Sequence, residues 1–173
     1  MLSLRPLDIH SPDLAFVQSL YERAFPENER RDFQDMLLDA SGICAVHGLY
    51  DGERCVGFSC TLLCIGIAHI IFFAIEETLR GQGLGAQALA LLHAHYAPCR
   101  VVVDIERTGD TYPDNASRMR RKAFYHSCGY QENPVYYRWQ DEDYEVMSYG
   151  GPITHEEFSD FWDAAYAANP LIG

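Results

Sequence analysis

The stretch Arg80-Gly81-Gln82-Gly83-Leu84-Gly85-Ala86 restricts what this chain can fold into more than any other part of it. Just before it, His69 to Ile75 is short, apolar and rich in isoleucine and phenylalanine, the pattern of a strand buried on both faces at the centre of a sheet. After it, Leu84, Ala88, Leu91, Leu92 and His95 recur at helical spacing, and Arg100 to Glu106 is β-branched and strand-like. These pieces make a strand, loop, helix, strand unit. At the loop, the unpaired N–H groups of a starting helix and the helix dipole favour an anion. Side chains at 81, 83 or 85 would hold phosphate oxygens away from those amides or forbid the backbone conformations that bring them together. The loop therefore reads as a phosphate cradle, against the plainer reading of a tight strand-to-helix turn. It is not a P-loop, because no Gly-Lys-Ser/Thr ending is present, and it fails G-x-G-x-x-G because Ala86 stands three residues after Gly83.

The flanking segments extend this unit into a larger mixed sheet. Ser3 to Ile9 is strand-like, and Ser11-Pro12-Asp13 offers an N-cap, a proline at the first helical position and an early acid. The helix that follows, through Leu14, Val17, Tyr21 and Ala24, should end at Pro26. A second helix is expected from about Glu29 to Ala40, then a hairpin of Ile43 to Tyr50 and Arg54 to Ile65 around Asp51-Gly52. Asn115 to Cys128 reads as a helix closed by Gly129, and Val135 to Trp139 should pair with Tyr144 to Tyr149 across Gln140 to Asp143. In the last helix Thr154 and Glu157 form a capping box and Ile153 and Phe158 a hydrophobic staple. Its apolar stripe of Phe158, Phe161, Trp162 and Ala165 reads as core packing. No internal repeat or linker divides the chain, so residues 1–173 are expected to form one domain.

Composition narrows the function classes. At 173 residues, 48% hydrophobic and 22% charged, the chain suits one α/β domain with a mixed sheet and helices on both faces. A formal net charge of -12 argues against nucleic acid as a partner and is compatible with a cationic substrate such as an amine. The most apolar run, Cys60 to Ile75, is broken by Gly66 and His69, so no membrane span or membrane partner is expected. Met1 to Arg5 lacks the pattern of a secretory signal, from which a cytoplasmic location is expected. The cysteines at 44, 55, 60, 64, 99 and 128 form no C-x-x-C pair and read as reduced thiols, and no metal site is expected.

With Arg80, Gly83 and Gly85 in this context, the chain resembles the GNAT superfamily of N-acetyltransferases, in particular a poorly defined bacterial-type branch that shares Phe25-Pro26-Glu27-Asn28-Glu29-Arg30-Arg31. Ala123-Phe124-Tyr125-His126-Ser127-Cys128-Gly129-Tyr130 looks like the family's tyrosine-to-glycine-aromatic ending. The resemblance implies a central, mostly antiparallel sheet whose fourth and fifth strands splay apart, with helices on both faces. It implies acetyl-CoA as cosubstrate, its pantetheine arm along Phe73, Ala74 and Ile75 and its pyrophosphate on the amides of Arg80, Gly81, Gln82, Gly83, Leu84, Gly85 and Ala86. Tyr125 falls on the general-acid position, where a phenol, neutral at pH 7, gives its proton to the leaving thiolate. His69 matches the place of a base on the fourth strand, with Glu76, Glu77, Asp104, Glu106 and a water relay as alternatives. Two departures stand out: Glu77 where the family often has proline, and Arg118 where it often has asparagine. Arg118, Arg120, Arg121 and Lys122 read as a solvated helix face rather than a phosphate clamp.

The implied reaction moves acetyl from acetyl-CoA to a primary amine of a small molecule or peptide by direct attack in a ternary complex. The alternative is a non-catalytic acyl-CoA sensor or interaction module on the same fold. Tyr136, Tyr137, Arg138 and Trp139 are candidates for the acceptor pocket, half of them expected to point into the core. The resemblance favours a homodimer.

Overall fold

A computed structural model describes residues 1–172, and its core is a seven-stranded sheet. Along the chain the strands are β1 (Leu2–Pro6), β2 (Cys44–Asp51), β3 (Arg54–Cys64), β4 (Ile67–Ile75), β5 (Arg100–Glu106), β6 (Gln131–Trp139) and β7 (Glu142–Tyr149). Their spatial order is β1-β2-β3-β4-β5-β7-β6, so β4 is the middle strand, as its unbroken apolar sequence requires. Every neighbouring pair is antiparallel except β4 and β5. Helices α1 (Leu14–Ala24), α2 (Phe33–Leu37), α3 (Leu84–Tyr96), α4 (Asn115–Ser127) and α5 (His155–Ala168) cover the faces. No helix among the described residues is long and apolar enough to cross a membrane.

The two faces follow from alternation along the strands. Phe58, Cys60 and Phe72 pack with Val17, Leu20 and Tyr21 of α1 and Met36 of α2. On the same face Val102 and Val146 meet Phe158 and Phe161 of α5. On the opposite face Val101, Val103 and Ile105 meet Leu89 and Leu92 of α3 and Tyr125 of α4. Phe161 has no exposed surface, and burying one such ring stabilises the fold by about 1.5–3 kcal/mol.

Two irregularities in β4 position the site. Cys60 faces Phe72 while Thr61 faces Ile70, so Ile71 is an extra residue, a β-bulge that bends and twists the strand. Parallel pairing of β4 with β5 covers only Ile67↔Arg100, Ala68↔Val101 and His69↔Val102. From Ile70 to Ile75 the edge that faces β5 has no ladder partner, and the two strands diverge there. This is the splay that the family resemblance implies.

Local boundaries differ from the sequence reading where side chains found other partners. The expected second helix from Glu29 to Ala40 shrinks to Phe33–Leu37, preceded by a 3-10 turn at Glu27–Glu29, because Asp32 caps at that point by accepting from the N–H groups of Gln34 and Asp35. Ser11 does not cap α1. Its hydroxyl bonds Asp8, and the carboxylate of Asp13 accepts from the Tyr50 hydroxyl at 2.7 Å, leaving α1 to begin at Leu14 without a side-chain cap. The Thr154–Glu157 capping box is present on α5. All six cysteines are free thiols.

Candidate active site

The splay opens into a cavity of about 1350 Å³, larger than the roughly 300–1,000 Å³ typical of a site for one small molecule, so two ligands fit side by side. Its floor is the unpaired end of β4, including Phe73, Ala74 and Ile75. One wall is the glycine loop, of which Arg80, Gly81, Gly83, Leu84, Gly85 and Ala86 line the cavity. Gln82 is exposed and its side chain lies off the wall, leaving only its backbone for a ligand.

The loop has the geometry of an anion cradle. Gly83 is the N-cap of α3 at φ 77, a left-handed conformation that side chains rarely adopt, and Gly81 has φ 78. A Cβ built on either meets nothing within 4 Å, so the space in front of both is open. The first helical bond runs from Gln87 N–H to the Gly83 carbonyl, so the N–H groups of Leu84, Gly85 and Ala86 precede the helix's own bonding and point out of its end. Gly85 serves packing: a Cβ there would lie 3.1 Å from the Phe124 ring of α4. Arg80 ties the loop to the floor, its Nε donating to the Ile75 carbonyl at 3.3 Å.

Tyr125 lines the cavity near the end of α4, where its carbonyl accepts from the N–H groups of Cys128 and Tyr130. Its ring sits against Phe124 and Tyr130, with centroids 5.3 and 5.2 Å away. Burial raises the phenol above its usual pKa of 10, so it stays protonated throughout the physiological range.

His69 lies behind the cavity wall. It is fully buried on the α5 face, tilted against Phe158 and edge-on to Phe161 and Trp162, and its Nε2 lies 3.3 Å from Asp104 Oδ1 without making a hydrogen bond. Asp104 does line the cavity and accepts a short hydrogen bond from the Tyr137 hydroxyl. Burial pushes its carboxyl upward, but His69 and Tyr137 outweigh that and hold it below the usual range. Glu106 lines the cavity too, paired with Arg121. Glu76 and Glu77 do not: Glu76 is bound 3.0 Å from Arg23 and caps the Glu77 N–H.

The basic run on α4 is a solvated face only in part: Arg120 and Arg121 are exposed, Arg118 and Lys122 are not. Arg118 is buried, pairing with Asp114 and Glu142 at 2.8 Å each, donating to the Arg107 carbonyl and stacking on Tyr112. Lys122 bridges Glu132 and Glu145. Arg120 and Arg121 alone of the four face the cavity.

The sequence indicated only part of the far wall. Tyr137 and Trp139 of β6 were expected there and line it, while Tyr136 is 48% exposed and Arg138 turns to Asp143. Trp162, Asp163 and Tyr166 were not expected, because α5 read as pure core; its stripe edge carries the cavity. Glu29 and Arg31 of the quoted Phe25-to-Arg31 segment also line it. Burial raises the Glu29 carboxyl above its usual value, against the pull of the nearby Tyr144 hydroxyl.

An open strand edge leading into a bare helix N-terminus suits a long thioester that carries a pyrophosphate, and it sets this protein among the acyl-CoA-dependent acyltransferases. The sequence matches the Acetyltransferase (GNAT) family over residues 14–130, more than half of its length, and the chain belongs to that family. A comparison with curated proteins found no match. Among solved structures, one from Bacteroides thetaiotaomicron assigned to the GNAT family is 18% identical with a TM-score of 0.78, covering 98% of each chain. The ribosomal-protein-S18-alanine N-acetyltransferase of Escherichia coli is 18% identical with a TM-score of 0.60, covering 89% of this chain and 96% of its own. An aminoglycoside 6'-N-acetyltransferase complexed with coenzyme A is 16% identical with a TM-score of 0.64, covering 85% of this chain and 96% of its own. At these identities the likeness is one of fold.

Proposed function

We propose that this acetyltransferase moves acetyl from acetyl-CoA to a primary amine of a small molecule or peptide by direct attack in a ternary complex. The observation that carries the reading is the continuity of one surface: the open edge of β4, the positive-φ glycine cradle and the buried Tyr125 phenol all line one cavity. The solved relative that holds coenzyme A and the relatives named for amine acetylation support it.

In this reading the backbone of Phe73, Ala74 and Ile75 binds the amide-bearing arm as a sheet edge binds a strand. The amides from Arg80 to Ala86 take the pyrophosphate, helped by the charge of Arg120. Acetyl-CoA, when bound, supplies an activated acyl thioester. Tyr125 stays protonated until a thiolate forms beside it and then donates. The acceptor must lose a proton before it attacks, and Glu29, made more basic by burial, is suited to take it. Asp104 holds the incoming ammonium. His69 acts through Asp104, as a positioning residue that keeps that carboxylate charged while the Tyr137 hydroxyl holds it in place.

Calorimetric titration with acetyl-CoA, CoA and ATP, followed by thiol-release assays on an amine panel, tests the proposal. Micromolar binding of the two CoA species without ATP binding, and release of free thiol only with an amine, is expected. Binding without release from any amine would leave a sensor; no CoA binding would refute the reading.

A further inference from the structure

Arg31 is a cation the acetyl-transfer reading does not use. Its backbone is fixed by the buried Tyr21, whose hydroxyl accepts from the Arg31 N–H at 2.7 Å and donates to the Arg31 carbonyl at 3.1 Å. Its guanidinium carbon stands 5.3 Å from the Trp162 ring centroid and 6.0 Å from that of Trp139, at the cavity wall. Nη1 is buried with no hydrogen-bond partner among the described residues. The sequence holds 25 acidic against 13 basic side chains, and Arg100, Arg118 and Arg121 each have a carboxylate partner. Arg80 and Arg120 line the cavity without a carboxylate too, but of the cavity guanidiniums described only Arg31 has a nitrogen buried without a partner, and burying a charge unpaired is costly.

Resting on that reading, we propose that Arg31 is the carboxylate-binding residue of the acceptor site, and that the acceptor is an amine that also carries a carboxylate, such as a free amino acid. The two indole rings flank the guanidinium, whose N–H groups, the unpartnered Nη1 among them, match a carboxylate in two parallel hydrogen bonds. The opposite charge is provided separately. Glu29 and Asp104 both line the cavity and supply that charge. The cavity therefore offers carboxylates for an ammonium and a guanidinium for a carboxylate, the pattern of a zwitterion. Arg31 does not belong to the pyrophosphate cradle: it meets Trp162 of α5 on one face of the sheet, whereas the glycine loop heads α3 on the other. Aromatic walls alone would equally suit an arylalkylamine, but such a ligand brings only positive charge and leaves Arg31 unpaired.

The test uses matched pairs that differ only in the carboxylate: phenylalanine with phenethylamine, tryptophan with tryptamine, lysine with cadaverine. Thiol release and calorimetric binding in the presence of saturating CoA are measured for each pair on the full chain. At least one amino acid should exceed its decarboxylated partner about 10–100-fold in kcat/KM or affinity, the scale of a charge-assisted contact. Arg31→Met should erase that preference, and Arg31→Lys should recover it only in part, with acetyl-CoA affinity unchanged in both. Preference for the bare amines in the unmodified chain, which needs no variant to fold, would overturn the proposal. So would failure of every amino acid to bind while acetyl-CoA still binds, an outcome that spares the acetyltransferase reading. Weakened acetyl-CoA binding in a folded Arg31→Met protein would assign Arg31 to the cofactor and overturn the proposal as well. Absence of acetyl-CoA binding in the unmodified chain would remove both.

Discussion

Replacing Tyr125 with phenylalanine deletes one oxygen from the wall of the cavity and leaves almost everything else in place. The ring keeps its neighbours Phe124 and Tyr130, and the main-chain bonds that end α4 do not involve the side chain. No hydrogen bond to the hydroxyl is found among the described residues, and burial together with the charges of Arg121 and Asp104 perturbs it. The stability change should therefore stay below about 1 kcal/mol, which for a chain of this size is under about 4 °C in Tm. Acetyl-CoA affinity should hold within about twofold. The rate should not: a positioned general acid contributes on the order of 10²–10⁴-fold, about 3–5 kcal/mol of barrier. Tyr125→Phe is thus expected to separate kcat from both Kd and Tm. The assay is thiol release with an amine found in the screen, alongside titration calorimetry and thermal unfolding. Because burial raises the phenol, the unmodified enzyme should also show no falling alkaline limb from this group below about pH 10. An unchanged kcat would refute the general-acid role, and a joint loss of kcat, Kd and Tm would make Tyr125 a packing residue.

Gly83→Ala should cost about 1–2 kcal/mol through its positive φ and weaken acetyl-CoA at least tenfold, whereas Gly42→Ala, at φ 73 but away from the cavity, should match the stability loss in thermal unfolding without changing affinity. Arg118→Ala should lower stability by about 2–3 kcal/mol, below the range for fully buried pairs because the Asp114 and Glu142 side chains are 52% and 26% exposed, and should leave acetyl-CoA affinity intact by calorimetry. The Arg118 hydrogen bonds hold the Glu142 carboxyl below its ordinary value of 4.5, so that part of the difference is fully present above about pH 5. It shrinks as the carboxyl protonates on acidification, which urea titrations at several pH values would show. His69→Phe removes the partner that keeps the Asp104 carboxyl low; the acidic limb of kcat/KM should move upward in pH, and an unmoved limb would deny His69 its positioning role.

The glycine-loop half of the candidate site was legible because it depends on backbone. Glycines at 81, 83 and 85, an apolar strand before them and an amphipathic helix after them dictate a bare helix end with little help from distant residues. The acceptor half depends on side chains brought together from far apart in sequence. Trp162 on an apolar stripe looks the same whether it faces a core or a cavity, since burial makes both apolar. Arg118, Arg121 and Lys122 of α4 looked solvated because their partners, Glu142, Glu106, Glu132 and Glu145, lie on strands whose register a sequence does not announce. His69 sits on the strand where a base was expected, but its side chain turns toward α5 instead of the cavity.

The three residue pairs that join β4 to β5 make the sheet behave as two plates riveted at one end. On one plate lie β1 to β3, on the other β7 and β6, and past His69 the spacing between them is governed by helices and by whatever lies in the gap. A small rotation at the rivets becomes a larger displacement at the mouth, so width there is the soft coordinate of this molecule. A ligand bonded to the free edge of β4 acts as a spacer that stiffens it. At a hundredfold excess over its Kd such a spacer adds about 2.7 kcal/mol to the stability of the whole chain, and the melting temperature becomes a gauge of how full the gap is.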